Sequence, residues 1–287
     1  MTEIRERSVD FGGFHSRALQ QGEPRADRPT VVCFHGWGDC AEAFLPMFEA
    51  LHDLDTQLVS LDFPGFGQAQ RLADGPQLPQ FVAFADAAIE HYSQSGRVLP
   101  VGQSLGARAA LTACSRRQSR DVAALLAIGP APLELPGWQK VLVRNRSLAH
   151  NVSALAATAD DDVLRAEMLK SYQRTSFFDP GSVPATVYSH YLKQLPIEHA
   201  RHHIDALWRF GTEIQEPLEL SGVHCPVTIL WGKEDRIAPW SGAKHYQAAL
   251  PAAKLLPLER CGHHAHIEKP AACAAGLREL YDAALQV

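Results

Sequence analysis

Short apolar segments alternate with helix-like segments along most of this chain of 287 residues. The stretch 30–34 is an almost continuous apolar run, as expected of a strand that is buried on both faces. In 41–52, by contrast, apolar residues recur with the spacing of one helix face. Because such alternation is typical of parallel sheets covered by helices, the sequence predicts an α/β fold with a mostly parallel central sheet flanked by helices. The predicted strands are 4–9, 15–20, 30–34, 58–61, 98–101, 123–128, 227–231 and 254–258.

The alternation stops between residues 133 and 216, where the pattern is helical throughout. We therefore expect a core formed by residues 1–132 and 217–287, with a helical cap (lid) inserted as residues 133–216. The aromatic side chains of the insertion are expected to bury it on the core, and some of them to line an apolar pocket. These aromatic residues are Trp138, Phe177, Phe178, Tyr188, Tyr191, Trp208 and Phe210.

Composition argues against several classes of partner. The net charge of −5 and the lack of a basic run interleaved with aromatics predict no nucleic-acid binding. No apolar stretch reaches the roughly 18 residues that span a bilayer. The charged start MTEIRERSVD lacks the apolar core of a signal peptide, so we expect a cytoplasmic protein without membrane insertion. The six cysteines are widely spaced with no CxxC pair, which predicts free thiols. The sequence favours no particular oligomeric state.

Ser104 stands between two glycines in the stretch GQSLG (residues 102–106), directly after a predicted strand and before a predicted helix. In that context the pattern indicates a nucleophile elbow, a sharp turn that presents the serine oxygen above the sheet. Gly102 and Gly106 lack the Cβ atoms that would collide with the strand and the helix in such a turn. An ordinary tight turn without a chemical role is the alternative interpretation. Pro100 lies in the same strand and predicts irregular pairing there, since proline has no N–H to donate.

A serine hydroxyl is a poor nucleophile until a base removes its proton. The stretch CGHHAH offers His263, His264 and His266 as candidate bases. A zinc site in this cluster is disfavoured, because ligands so close together in one loop rarely fit a tetrahedron. The carboxylates Glu234 and Asp235 follow another predicted strand. Because functional groups of open α/β sheets gather beyond the carboxyl ends of the strands, we expect an acid, a base and the serine to meet there.

An acyl-transfer site also needs two N–H donors for the oxyanion that forms on the carbonyl oxygen. The residue after the nucleophile supplies one, and a loop after an earlier strand supplies the other. We therefore expect these donors to be the backbone N–H groups of Leu105 and of Trp37, which lies in the stretch FHGWG. His35 and Gly36 of that stretch are predicted to support the site, His35 by hydrogen bonding to nearby loops. Asp62 is expected to fix a turn by accepting backbone N–H bonds.

Five stretches, HGWG, DFPGFG, GQSLG, WGKED and GH followed by EKP, occur in this order and together resemble the α/β-hydrolase superfamily. They are most similar to its capped esterase and carboxylesterase branch, and the resemblance covers nearly the whole chain outside the helical insertion. It implies that Ser104 is the nucleophile, His263 the base and Asp235 the carboxylate that orients the base. Another branch carries its acid after the strand that ends at Ile128, where residues 129–132 offer no carboxylate.

The resemblance implies a serine hydrolase that cleaves a carboxylic ester of a small or medium acyl group through an acyl-enzyme. The partner would be a small-molecule ester, and neither a cofactor nor a metal is expected. Thioesterases and hydrolases of carbon–carbon bonds need the same machinery and stay as alternatives. Dehalogenases and epoxide hydrolases of this fold use aspartate at the elbow, where this chain has Ser104. A non-catalytic receptor for a small ligand is the alternative from a different class.

Overall fold

The computed structural model describes residues 3–117, 121–133, 158–194, 209–215 and 218–286, with isolated residues between 135 and 155. Its centre is an eight-stranded sheet, and the α/β fold with a mostly parallel sheet is confirmed. The strands are β1 (Arg5–Phe11), β2 (Phe14–Gln21), β3 (Thr30–Phe34), β4 (Leu58–Leu61), β5 (Val98–Gln103), β6 (Leu125–Ile128), β7 (Val227–Gly232) and β8 (Lys254–Leu258).

The strands lie side by side in the order β1-β2-β4-β3-β5-β6-β7-β8. β1 pairs antiparallel with β2, and β2 pairs antiparallel with β4. Every neighbouring pair from β4 to β8 is parallel. The carboxyl ends of these strands therefore lie at one end of the sheet, where the loops after β3, β5 and β7 can supply a common site.

Helices cover both faces of the sheet and form two separate apolar layers. Along β3, Val32 and Phe34 pack into the layer beneath α2 (Leu78–Ser93) and α3 (Leu105–Ser115), whereas Val31 and Cys33 pack into the layer beneath α1 (Leu45–Ala50) and α8 (Pro270–Ala284). This alternation follows from the two-residue period of a strand. The helices are α1 (Leu45–Ala50), α2 (Leu78–Ser93), α3 (Leu105–Ser115), α4 (Asp161–Ser176), α5 (Ala185–Gln194), α6 (Ala243–Ala249), α7 (Ala265–Glu268) and α8 (Pro270–Ala284).

The helix predicted over 41–52 is divided in the structure. A 3₁₀ turn spans Ala41–Phe44, and α1 begins only at Leu45. Pro46 explains the division, because its nitrogen carries no hydrogen to donate to the carbonyl four residues earlier. Proline is instead tolerated in the first turn of a new helix, which is the position that Pro46 takes in α1.

Pro100 lies within β5, and the irregular pairing predicted there is confirmed. Val98 N donates to Asp121 O at 2.8 Å, so the backbone of Val98 faces the β6 side. Pro100 faces the same side, because it is two residues further along the strand. The paired register of β5 and β6 begins only at Val101, so the missing N–H falls where the ladder is already interrupted. The ladder with β3 continues through Pro100 without a break.

Residues 129–226, here called the β6–β7 segment, contain α4 and α5 and include all of the predicted insertion. The predicted boundary at residue 216 lies outside the described residues, as do Trp138 and Trp208. No helix in the described ranges has the length and apolar character needed to cross a lipid bilayer. The cysteines, all of which fall within those ranges, are unpaired.

Candidate active site

Ser104 occupies a sharp turn between β5 and α3. Its backbone has φ +51° and ψ −112°, a conformation that costs energy for any residue with a Cβ atom. The glycines on either side are required by close backbone approach. A Cβ atom at Gly102 would lie 2.4 Å from the Ala107 nitrogen, and one at Gly106 would lie 2.0 Å from the Phe34 oxygen. The strained conformation and the crowding are those of a turn that presents one side chain above the sheet.

His263 and Asp235 are hydrogen-bonded to each other in a buried setting. His263 Nδ1 lies 2.7 Å from Asp235 Oδ2, and the two side chains are 4% and 0% exposed. The other carboxylate oxygen, Oδ1, accepts from the backbone N–H groups of Ile237 and Ala238, both at 2.8 Å. An ionised carboxylate can only accept, so Nδ1 carries the hydrogen and Nε2 has the free lone pair.

Contacts of Gln103 and Gly129 connect the surroundings of the serine turn to this pair. Gln103, the residue before it, donates through Nε2 to the His263 carbonyl oxygen at 3.1 Å. A Cβ atom at Gly129, which follows β6, would lie 3.4 Å from Asp235 Oδ2 and 3.6 Å from His263 Nδ1. Within the described part of the chain, no side-chain hydrogen bond reaches Ser104 Oγ. Catalytic hydrogen bonds are often long before a substrate is bound.

The loop after β3 lies against the serine turn. A Cβ atom at Gly36 would lie 2.1 Å from Gln103 Oε1 and 3.3 Å from Ser104 Cβ. His35 Nε2 accepts from the Phe63 N–H at 2.9 Å, and its Nδ1 lies 2.7 Å from the Gly36 oxygen. Since a backbone N–H can only donate, His35 carries its hydrogen on Nδ1 and links two loops. Through this ring the loop after β4 is bonded to the loop after β3.

The two predicted oxyanion donors lie beside the serine turn. Leu105 is the first residue of α3, where N–H groups have no acceptor within the helix. Trp37 follows Gly36 directly, and its indole ring stacks on Phe210 of the β6–β7 segment with 4.6 Å between ring centroids. Edge contacts with Phe66 and Phe81 complete an apolar wall around the indole. The loop that carries the predicted donor thus also contributes an aromatic surface.

His264 and His266 do not bond to Asp235; they are buried with Asp39 beside it. His264 Nε2 lies 3.3 Å from Asp39 Oδ2, without the alignment of a hydrogen bond. Burial lowers the pKa of His264 despite the nearby carboxylate, and burial lowers the pKa of His266 further still. Although burial alone would raise the pKa of Asp39, the contact with His264 lowers it. Asp39 is therefore charged and both histidines are neutral at pH 7. No group of residues arranged for a metal ion occurs among those described.

Asp62 fixes the loops behind the site, as predicted, but the sequence reasoning missed its partner. Its carboxylate accepts from the backbone N–H groups of Ala41 and Gln68 at 2.8 and 2.9 Å. Arg17 Nε, 4% exposed, also donates to Asp62 at 2.8 Å, and Arg17 forms a two-point contact with Glu42. Burial alone would lower the pKa of Arg17, but the bonds to Glu42 and Asp62 raise it. The signal in the sequence was an arginine in the middle of the predicted strand 15–20.

A family model for the α/β hydrolase fold matches residues 29–270, and the chain therefore belongs to the α/β hydrolase family. It is 25% identical over 257 residues to the uncharacterized hydrolase YugF of Bacillus subtilis, covering 85% of this chain and 86% of that one. It is 23% identical over 274 residues to a monoacylglycerol lipase, abhd6-A, of Xenopus laevis, covering 91% of this chain and 77% of the lipase.

Solved structures share the fold over nearly the whole chain. A 2-hydroxy-6-oxo-6-phenylhexa-2,4-dienoate hydrolase from Rhodococcus superposes with a TM-score of 0.77 at 22% identity, covering 98% of this chain and 100% of that one. A thermophilic esterase from Thermogutta terrifontis gives a TM-score of 0.67 at 16% identity, covering 98% of this chain and 99% of the esterase. The fold and the family are thus those of hydrolases, with lipases and esterases among the similar proteins.

Proposed function

We propose that this protein is a serine hydrolase that cleaves carboxylic esters of small or medium acyl groups, with Ser104, His263 and Asp235 as its catalytic triad. The observation that carries the proposal is the buried His263–Asp235 hydrogen bond of 2.7 Å beside a serine in a strained turn. A hydrogen on Nδ1 leaves His263 Nε2 as the only ring atom able to take a proton. That is the arrangement a general base for a serine hydroxyl requires.

The reaction has two halves. In the first, Ser104 Oγ attacks the ester carbonyl carbon while His263 Nε2 takes the hydroxyl proton, and Asp235 stabilises the imidazolium that forms. His263 then returns the proton to the leaving alcohol as the carbon–oxygen bond breaks, which leaves an acyl group on Ser104. In the second half, a water molecule attacks the acyl carbon while His263 Nε2 takes a proton from it. His263 then gives that proton to Ser104 Oγ as the bond between the acyl carbon and Oγ breaks, which releases the acid and restores the serine.

The negative charge on the carbonyl oxygen needs donors fixed in advance. The backbone N–H groups of Leu105 and Trp37 fill this role in the proposal. Leu105 lies at the start of α3, so the helix dipole also favours negative charge there. The wall of Trp37, Phe66, Phe81 and Phe210 supports an apolar acyl group, and residues 133–216 would act as the cap that closes over it.

Covalent labelling with a fluorophosphonate tests the proposal directly. The wild-type protein is expected to react rapidly at one site, and Ser104→Ala is expected to abolish labelling and to lower ester hydrolysis at least about 1000-fold. Ser189→Ala is the matched control, because the Ser189 hydroxyl is exposed on α5 and bonds only within its own helix. Folded wild-type protein that fails to label would contradict the proposal and favour a ligand receptor.

A substrate panel tests the finer part of the proposal. The panel consists of p-nitrophenyl esters of increasing acyl length, thioesters of matched length and a vinylogous diketone. The highest kcat/KM is expected for an ester with a small or medium acyl chain. A strong preference for the thioesters or for the diketone would instead identify a thioesterase or a carbon–carbon bond hydrolase on the same side chains.

A further inference from the structure

The end of α4 is bonded to both loops that carry the proposed base and acid. The backbone N–H groups of His263 and His264 both donate to the Ser176 carbonyl oxygen, at 2.7 and 3.2 Å. Arg236, the neighbour of Asp235, donates through Nη1 to the Arg174 carbonyl at 2.6 Å. The last carbonyl groups of a helix have no N–H donor within the helix, so donors from other parts of the chain or from water must satisfy them. Here the loops after β7 and β8 do so.

The side chain of Glu268 bridges the same two parts of the chain. Its Oε2 accepts from the Gly262 N–H at 2.7 Å and from the Phe178 N–H at 3.2 Å, while Oε1 accepts from the Asp179 N–H at 2.8 Å. Gly262 directly precedes His263, and residues 178 and 179 follow Phe177, the C-cap residue of α4. One carboxylate therefore holds two backbones together through charge-assisted bonds: that of the β6–β7 segment and that of residues 259–264, here called the histidine loop.

The two backbones touch at this junction. A Cβ atom at Gly262 would lie 2.5 Å from the Ser176 oxygen and 2.8 Å from Phe177 Cα. The position of the peptide before His263 is thus set on one side by Ser176 and Phe177 and on the other by Glu268. A shift of the α4 end would therefore move this peptide, and with it the His263 Cα atom that carries the imidazole side chain.

We propose that Glu268 is a positioning residue that couples the β6–β7 segment to His263 and holds the imidazole in its productive orientation. The inference rests on the proposed function, in which His263 is the base. Glu268 itself touches neither the substrate nor the reacting atoms. Its effect is geometric, and a displacement of about 1 Å at a reacting group can cost on the order of 100-fold in rate.

Three variants test this proposal with p-nitrophenyl ester turnover. Glu268→Ala is expected to lower kcat about 10- to 100-fold with a smaller change in KM, because substrate binding is retained while the base is displaced. Glu268→Gln is expected to recover most of the activity, since one amide oxygen can keep the bonds from Gly262 and Phe178. Glu279→Ala is the control and should behave as wild type, because Glu279 is an exposed residue of α8 paired with Lys254.

The proton resonance of His263 Nδ1–H provides a second readout that does not depend on turnover. In Glu268→Ala this resonance should shift or broaden, and in Glu268→Gln it should stay near the wild-type position.

Glu268→Ala protein with wild-type kcat and an unchanged resonance would overturn the proposal, even if its melting temperature fell. If wild-type protein neither hydrolyses nor labels, the proposed function fails on its own, while an unchanged resonance in Glu268→Gln and a shifted one in Glu268→Ala would still support the coupling. If Glu268→Ala does not fold, Glu268→Gln takes its place in the test. A displaced His263 resonance together with wild-type kcat in Glu268→Gln would contradict the proposal, because the imidazole would have moved without a loss of rate.

Discussion

Glu234 and Asp235 are chemically alike and adjacent, yet they have different surroundings. Asp235 binds the His263 ring through one oxygen and two backbone N–H groups through the other. Glu234 points elsewhere and accepts from the Cys261 N–H at 2.9 Å, which ties the loop after β7 to the loop after β8. The pair therefore divides into one carboxylate that orients an imidazole and one that holds a loop.

Replacing Asp235 tests this division. Asp235→Asn keeps the size of the side chain but removes its charge, so His263 is no longer held with its hydrogen on Nδ1. Substitutions of this kind lower kcat by about 10⁴-fold in well-studied triads, and we expect a loss of about 10³- to 10⁴-fold here. Ester hydrolysis under saturating substrate is the measurement.

Glu234→Gln is the matched control for that variant. An amide oxygen still accepts from Cys261, so we expect kcat within a few-fold of wild type. Equal losses in the two variants would show that the carboxylates act only by holding the loops in place.

For single residues, the sequence predicted the members of local motifs. It missed the residues whose partners lie far away along the chain. Ser104, Asp235 and His263 each stand in a recognisable stretch after a strand, and the structure shows Asp235 and His263 hydrogen-bonded to each other. The Arg17–Asp62 pair and the Asp39–His264 contact join distant segments with no local pattern. Because the tertiary fold decides which buried charged groups meet, sequence periodicity could not predict these two pairs.

Among the elements, α3 packs its first turn directly against the end of β3. Gly106 lies in its first turn, against the carbonyl groups of Phe34 and His35, and a Cβ atom there would lie 2.0 and 2.7 Å from those oxygens. Backbone atoms of a central strand cannot give way easily. The position of the helix, and hence of Ser104 at its start, therefore depends on this residue having no side chain.

Gly106→Ala is accordingly expected to lower the free energy of unfolding by about 1–3 kcal/mol through overpacking. Gly276→Ala in α8 is the matched control, because a Cβ atom there would meet the Leu230 side chain at an ordinary 3.4 Å. Alanine in a helix interior is favoured over glycine by about 0.5–1 kcal/mol, so this variant should be slightly more stable than wild type. Urea denaturation distinguishes the two. Similar stability of both variants would mean that α3 can move away from β3.

The order and type of the elements were predictable in the core, because buried strands and amphipathic helices have different periods. Boundaries were less predictable. The strand predicted at 123–128 begins at Leu125, and Pro46 divides the helix predicted at 41–52. The sequence predicted residues 133–216 as a helical cap but not the bonds between the end of α4 and the loop after β8, since those bonds use backbone groups of the cap, which leave no trace in residue types.

Across the whole molecule, the buried histidines link stability to pH. His264 and His266 lie among Asp39, His35 and His263, and burial holds the pKa values of His264 and His266 below their ordinary value of about 6.5. The unfolded chain would therefore bind protons that the folded chain excludes. Stability from this source is fully present above about pH 6.5 and is lost as the pH falls below it.

The free energy of unfolding should accordingly fall between about pH 6.5 and pH 5, by up to about 1.4 kcal/mol per pH unit for each histidine that stays neutral. Denaturant unfolding at several pH values measures this slope. His266→Leu should flatten it, because a leucine binds no proton in either state. His15→Gln should leave the slope nearly unchanged, since His15 is 55% exposed beside Asp10. A slope that His266→Leu leaves at the wild-type value would show that His266 is protonated in the folded protein.

The distance along the chain between the elbow and its proposed partners has a consequence for biosynthesis. β5 and the start of α3 leave the ribosome well before β7, and the loop with His263 and Glu268 follows only after β8. Translation proceeds from the N-terminus at about 5–20 residues per second. A nascent chain that already displays Ser104 would thus hold an unactivated hydroxyl, and its reactivity would begin only when the loop beyond β8 has docked.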